Sequence, residues 1–303
     1  MLRIKPWLFF SVIIMKGNCR RHCQNNKTMK SRQNGSSVEA LDPFYMITLL
    51  AESKTMASLQ SAIQEKEYST HTPALENIAD ALMQHMESLS PSSIAEILGI
   101  SQQLAVKAHS LAYDFPHKLS GYKALYAFTG EAYRGLDVKT LSEEGIKRAD
   151  DDLRIISSVY GILKPTDIIK PYRCEFNKPV FPDKKTSIQV FKPKITIELV
   201  NHIKENKISE IIDLLPGDAD KCVDWKIVRA FATVHKVCFQ QITAEGRLKT
   251  PIASRLKDLR GKMARMIFSQ GIQSFKDLSS IPSEDFAFSV ADSKPGLPVF
   301  ITA

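Results

Sequence analysis

The chain has 303 residues, enough to bury a full hydrophobic core, and no apolar run approaches the roughly 20 residues that a membrane-spanning helix needs. Its formal net charge of +8 points to an acidic partner, yet residues 1–45 hold eight basic and two acidic side chains, which leaves the rest at only +2. A nearly neutral domain has no broad basic field, so any nucleic-acid binding must rest on local patches.

The opening MLRIKPWLFFSVIIMK places Arg3 and Lys5 before an apolar run from Trp7 to Met15, as a signal peptide does. No small-residue cleavage site follows. A polar, basic, turn-rich tract comes instead, and it reads as disordered. Five cysteines make an odd count with no C-x-x-C pair, which suits reduced thiols in a cytoplasm better than a disulfide framework. Cys19 and Cys23 bracket His22 without a further ligand cluster, so no metal is expected.

From Met46 the pattern alternates. Ile47 to Leu50 predicts a short buried strand, and the loop AESKT after it makes Lys54 and Thr55 available to an anion. Leu75, Ile78, Ala79, Leu82 and Met86 predict an amphipathic helix. Ser93 and Glu96 have the spacing of a capping box and predict a helix through Leu98. Gly99-Ile100-Ser101 is then a tight turn, with Ser101 capping a second helix that buries Leu104, Ala105, Ala108 and Leu111. Two short helices joined by L-G-I-S resemble a helix-hairpin-helix, whose turn and following helix N-terminus hold a DNA phosphate. Ser101 replaces the second glycine of that consensus, and a plain αα-hairpin gives much the same pattern.

Ser142 caps the next helix, and Ile146, Ala149, Leu153, Ile156 and Tyr160 continue it at three- and four-residue steps as far as Gly161. Pro165 and Pro171 stiffen the path that follows. It carries Lys164, Lys170 and Arg173 against Asp167 and Glu175, with Tyr172 beside Arg173. Cations and an aromatic on a rigid turn suit a ligand bearing phosphate and base. The plainer alternative is a core-packed Tyr172 with Arg173 paired to Glu175.

Ile195, Leu199 and Ile203 predict another helix, and S-E-I-I-D-L-L a second buried strand. Val234 to Ile242, a turn at Glu245-Gly246 and Lys249 to Ile252 read as a β-hairpin. In the last helix, RLKDLRGKMARMIFSQ, the apolar side is Leu256, Leu259, Met263, Met266 and Ile267. Lys257, Lys262 and Arg265 project away from it, with Arg260 on the flank. Gly261 costs about 1 kcal/mol against Ala in mid-helix, which is easier to understand if something approaches the backbone there. The basic face is either a phosphate contact or simply solvated.

These residues also carry a resemblance. Leu153, Arg154, Ser157, Tyr160, Gly161, Leu163, Pro165, Asp167, Pro171, Tyr172, Arg173 and Glu175 fit L-R-x-x-S-x-x-Y-G-x-L-x-P-x-D followed by P-Y-R-x-E. Phe128, Gly130, Tyr133, Gly135 and Leu136 fit a second motif, and Lys257, Arg260, Gly261, Met263 and Arg265 a third. Together they resemble the YaaA peroxide-stress-response family over Met46 to Val299, whose own N-terminus is similar to MITLLAESKTM. Departures are Asp152 for His, Lys164 for Arg, Thr166 for Leu, Phe191 for Trp, and Asp213 to Ala219 where the family has N-L-A-S-x-E-Y.

The resemblance implies a single α/β domain, residues 46–303, with a mixed sheet wrapped by helices, a helix-hairpin-helix-like element and a basic cleft. Residues 1–45 become an N-terminal extension. It also implies a cytoplasmic protein of the hydrogen peroxide response that limits iron-driven oxidative damage and binds DNA with low sequence specificity. A monomer with no cofactor and no catalytic residue is expected. The contact set is Lys54, Gly99, Ser101, Arg154, Lys164, Tyr172, Arg173, Lys257, Arg260, Lys262 and Arg265. The alternative is an enzyme acting on a nucleotide-like or phosphorylated small molecule, with Lys54, Arg154, Tyr172, Arg173 and Arg260 converging in a closed pocket. A DNA glycosylase would need an acid or lysine at a base pocket, for which Asp114 is the one candidate downstream of the hairpin. No P-loop, G-x-G-x-x-G, G-x-S-x-G or H-E-x-x-H motif occurs.

Overall fold

Strands that are apolar at every position need cover on both faces, and this requirement sets the architecture. In the computed structural model the described residues are 45–57, 71–117, 121–281 and 283–302, and they belong to one compact unit spanning 42–303. The N-terminal extension expected from the sequence lies outside them, apart from Tyr45.

In chain order the elements begin with β1 (Tyr45–Ala51), α1 (Glu76–Ser88), α2 (Pro91–Leu98) and α3 (Gln102–His117). Next come β2 (Tyr122–Lys123), α4 (Ala124–Ala127), α5 (Glu131–Leu136), α6 (Glu143–Asp152), β3 (Leu153–Ser157), β4 (Gly161–Leu163) and β5 (Ile168–Ile169). The long helix α7 (Ser187–Glu205) leads to β6 (Ile208–Asp213), α8 (Gly217–Asp220), α9 (Trp225–Val228) and β7 (Thr233–Lys236). The chain closes with β8 (Cys238–Ile242), β9 (Leu248–Lys249), α10 (Ala253–Gln270), α11 (Phe275–Ser280), β10 (Ala287–Lys294) and β11 (Leu297–Thr302).

The main sheet has the order β4-β3-β1-β6-β7, with β1 at its centre. β1 runs parallel to β3, pairing Thr48 with Leu153, and parallel to β6, pairing Leu49 with Asp213. β7 is parallel to β6, and β4 folds back antiparallel on β3. Ile47, Leu49 and Ala51 pack with Phe191, Ile195 and Leu199 of α7. Met46 and Leu50 face the other way, into the larger cluster built from α1, α3, α10 and their neighbours. A separate four-stranded sheet has the order β10-β11-β8-β9, and β2 pairs with β5.

Several expectations change here. The helix that was to run from Ile146 to Tyr160 ends at Asp152, and Leu153–Ser157 is a wholly buried strand. Gly161 does take the left-handed conformation (φ 74°), but in the turn between two strands. α2 is capped by Ser90, whose hydroxyl accepts the Ser93 N–H at 3.1 Å, with Pro91 at the first helical position. Ser93 is therefore inside the helix. Val234 to Ile242 is not one strand: β7 belongs to the main sheet and β8 to the smaller one, where it pairs with β9.

Candidate functional site

β1 connects toward β3 on one side of the sheet, while β6 connects toward β7 on the other. The crevice outside the carboxyl ends of β1 and β6 is where open α/β sheets bind ligands. Glu52 leaves β1 there, its N–H still bonded to the Ile156 carbonyl at 2.9 Å. Its carboxylate oxygen Oε2 accepts the Ser158 N–H at 2.8 Å and the Tyr172 hydroxyl. Tyr172 lies 2.7 Å from Ser157 Oγ, which itself accepts the N–H groups of Val159 and Tyr160 at 3.2 and 3.0 Å. With Tyr172 donating to Glu52, Ser157 donates to Tyr172, so a relay of hydroxyls ends on one carboxyl.

Burial pushes the Glu52 carboxyl above the ordinary range, against the lowering effect of its bonds to Ser158 and Tyr172. Burial raises the Tyr172 phenol as well, and Glu52 adds to the shift. The Tyr172 phenol therefore stays protonated at neutral pH, and Glu52 keeps its proton to a higher pH than a solvated glutamate does.

Outside this relay, two cations share one acid. Lys54 Nζ is 2.6 Å from Glu175 Oε2, and Arg173 Nη2 is 3.6 Å from Glu175 Oε1. Arg173 Nε is buried with no hydrogen-bond partner among the described residues. Packed Tyr172 beside a paired Arg173 is the plainer of the two sequence alternatives, and it is what the structure contains. The cluster still joins Lys54, Tyr172 and Arg173.

From Arg173 the chain runs five residues to Lys178, a reach of at most about 17 Å. Lys178 Nζ sits at the α2–α3 turn, 3.1 Å from where a Gly99 Cβ would lie. Gly99 closes α2 in the left-handed region (φ 66°), and Ser101 Oγ accepts the Leu104 N–H at 3.4 Å as the cap of α3. No acid falls in the first turn of α3.

The other expected residues lie elsewhere. Arg154 and Lys164 line a cavity of about 370 Å³ with His71, Asp167 and His202, at the amino end of β3 and so away from Glu52. Arg154 is 5 % exposed; its Nη1 donates to the Leu153 and Asp150 carbonyls at 2.7 and 3.1 Å, and its Nη2 meets His202 Nε2 at 3.0 Å. Burial and the Arg154 charge hold His202 down at about 4, hence neutral. Among the described residues Arg154 does not join Tyr172 and Arg173 in one pocket, as the small-molecule alternative expected, so a small-molecule site could rest only on the Glu52 side.

Of the four α10 residues in the expected contact set, only Lys257 is exposed. Arg260 is drawn into the interior under the field of Asp213, and its pKa falls because of burial. Lys262 pairs with Asp285 and lies 3.6 Å from Asp258; Arg265 donates to the Asp137 carbonyl at 3.0 Å and lies 3.9 Å from that residue's carboxylate.

Sequence reasoning missed Glu52 and Lys178. Glu52 had a signal, being the one acid in the loop that leaves the first buried strand. Lys178 had none, because its value depends on which turn it reaches. No cluster of His, Cys, Asp and Glu able to hold a metal occurs among the described residues.

Fold and site together define a mixed α/β domain with a polar cluster at the carboxyl edge of its parallel strands. Residues 46–292 match the family described as Peroxide stress protein YaaA, and the chain belongs to that family. It is 29% identical over 259 residues to a UPF0246 protein of Shewanella woodyi, an alignment covering 84% of this chain and 98% of that relative. A UPF0246 protein of Shewanella sediminis is 30% identical over 257 residues, covering 81% and 98%. One of Polynucleobacter necessarius is 30% identical over 223 residues, covering 72% and 85%.

Proposed function

We propose that this protein is a cytoplasmic DNA-binding protein of the hydrogen peroxide response, limiting iron-driven oxidative damage and holding DNA by phosphate contacts of low sequence specificity. The observation that carries the reading is the Lys178 ammonium seated at the Gly99–Ser101 turn, beside a helix start free of acids. A side-chain cation beside the positive end of a helix suits a phosphate. Lys54 and Arg173 extend the contact by exchanging Glu175 for a second phosphate. Lys54 is 59% exposed and so can reach a phosphate from solvent, while Glu175, 13% exposed, keeps Arg173 as a second neighbour. Membership of the peroxide stress family supplies the physiological setting.

The test is the salt dependence of binding. If three to five phosphates are neutralised, log K falls against log salt with a slope of about −3 to −4.5. Lys178→Gln should reduce that slope by about one on every duplex alike, while Lys30→Gln in the extension leaves the domain's share unchanged. A loss confined to one sequence, or an unchanged slope for Lys178→Gln, would count against the reading.

One observation favours a second reading, an enzyme acting on a nucleotide-like or phosphorylated small molecule. A carboxyl raised by burial, one residue from a strand end and near Lys54 and Arg173, is suited to moving protons. Under that reading a nucleoside monophosphate raises the melting temperature while duplex, single-stranded and bubble DNA show no salt-dependent binding.

A further inference from the structure

Seven cations lie between Arg247 and Arg265, and the protein meets four of them itself. Arg255 pairs with Asp258 at 2.7 Å, Lys262 with Asp285, and Arg265 with Asp137, while Arg260 is half-buried within the field of Asp213. Arg247, Lys249 and Lys257 remain: all three are exposed, with no acid at ion-pair distance among the described residues. The outward charge of this stretch has therefore moved from the helix to the β8–β9 hairpin and the first turns of α10.

The same hairpin shows apolar side chains to solvent. Ile242 and Leu248 are cross-strand partners, 60% and 43% exposed, and Ile252 just before α10 is 71% exposed. Opposed residues on one face of an antiparallel pair stand side by side, so Ile242 and Leu248 form a single aliphatic ridge. Residues 244–250 are all exposed, and a Cβ on Gly246 at the turn would meet nothing within 4 Å, so the hairpin projects freely. A projecting ridge of branched aliphatics flanked by unpaired cations serves no purpose in the core.

We propose that the β8–β9 hairpin is a second nucleic-acid contact, in which Arg247, Lys249 and Lys257 hold phosphates and the Ile242–Leu248 ridge wedges between base steps. The inference rests on the DNA-binding reading above. Apolar wedges beside cations are how backbone-binding proteins unstack and bend a duplex. An anionic lipid surface also attracts cations with aliphatics, but two features favour the nucleic acid. Residues 242–256 include no aromatic of the kind that anchors at a membrane interface. Glu245 stands at the tip, ahead of the ridge, where a bilayer would have to take its carboxylate first; a groove entered by the free edge of β9, from which Leu248 and Lys249 leave on opposite faces, keeps it in water.

The experiment uses the full chain and a duplex with 2-aminopurine at a central T-A step, whose fluorescence rises on unstacking. Wild-type protein should raise the fluorescence on binding. Ile242→Ser with Leu248→Ser should keep the salt slope and lose the rise; Arg247→Gln with Lys249→Gln should shallow the slope by about 1.8, at 0.9 per phosphate. All four positions are exposed, so the variants should melt with the wild type. If wild type binds with a Lys178-dependent slope but both hairpin variants match it in slope and fluorescence, the hairpin inference alone falls. If no duplex is bound in a salt-dependent way, the DNA-binding reading falls and takes this inference with it. Binding to phosphatidylserine vesicles that the same substitutions abolish, with DNA binding untouched, reassigns the hairpin to a membrane surface and also overturns it.

Discussion

Asp213 ends β6 with Oδ1 accepting the Leu215 N–H at 2.9 Å and Oδ2 buried without a hydrogen-bond partner. Burial raises its carboxyl to about 7, Asp220 adds to the shift, and Lys236, 4.0 Å away, only partly opposes it. A folded pKa above the unfolded value means that the native state binds more protons between the two. Stability contributed here is present below about pH 4 and is lost as pH rises toward 7. Asp213→Asn should therefore raise the melting temperature at pH 8 and shallow its decline between pH 4 and 7. Asp152, raised to about 6 by burial, shares that window, so the slope should weaken without vanishing. The thiols make a second residue-scale prediction. Burial pushes Cys174 and Cys222 up to about 12, with Glu52 adding to both, so neither forms the reactive thiolate. Native-state iodoacetamide labelling followed by peptide mapping should leave both unmodified, whereas the unfolded chain labels at both. Rapid native labelling of either would make it a candidate peroxide sensor.

At the scale of elements, α5 and α10 pack backbone to backbone. A Cβ on Gly261 would lie 1.8 Å from the Ala132 carbonyl oxygen, and one on Gly135 would lie 2.4 Å from that of Asp258. Both obstacles are backbone, which cannot rotate away, so Gly261→Ala should destabilise by about 3 kcal/mol or more, read as a fall in the urea midpoint. The sequence already marked Gly261 as a place of close approach; it could not say that the approaching group was a helix of the same chain. Legibility elsewhere followed the same line. β1, α1, the Ser101 and Ser142 caps, α7, β6 and α10 stood out because their cues are local: a cap, a period, an apolar run. Leu153–Ser157 was misread because a short, fully buried strand fits helical spacing as well as strand spacing. The partners of Arg154, Lys262 and Arg265, and the seat of Lys178, depend on segments tens of residues distant. Local pattern carries no record of them, and so the expected contact set came apart into separate places.

For the whole molecule, the family match begins at residue 46, one residue into β1, and we propose that the chain before β1 is an extension of the domain. A protein starting at Met46 should keep its thermal midpoint within a few degrees; a large drop would make the extension part of the fold. The sheet order has a further consequence, in time. Among the described residues β1 is the first strand to be synthesised, and it is the central one of the main sheet, yet its two neighbours begin only at Leu153 and Ile208. At about 5–20 residues per second, β6 emerges on the order of 10 s after β1. Until Leu153 emerges, a strand buried from Met46 to Ala51 in the finished protein has both edges unpaired, and one edge stays open until Ile208 follows. A ribosome slowed between residues 52 and 207 holds the nascent chain at its stickiest. The protein's exposure to aggregation is thus set by the pace of translation before it is set by the stability of the finished fold.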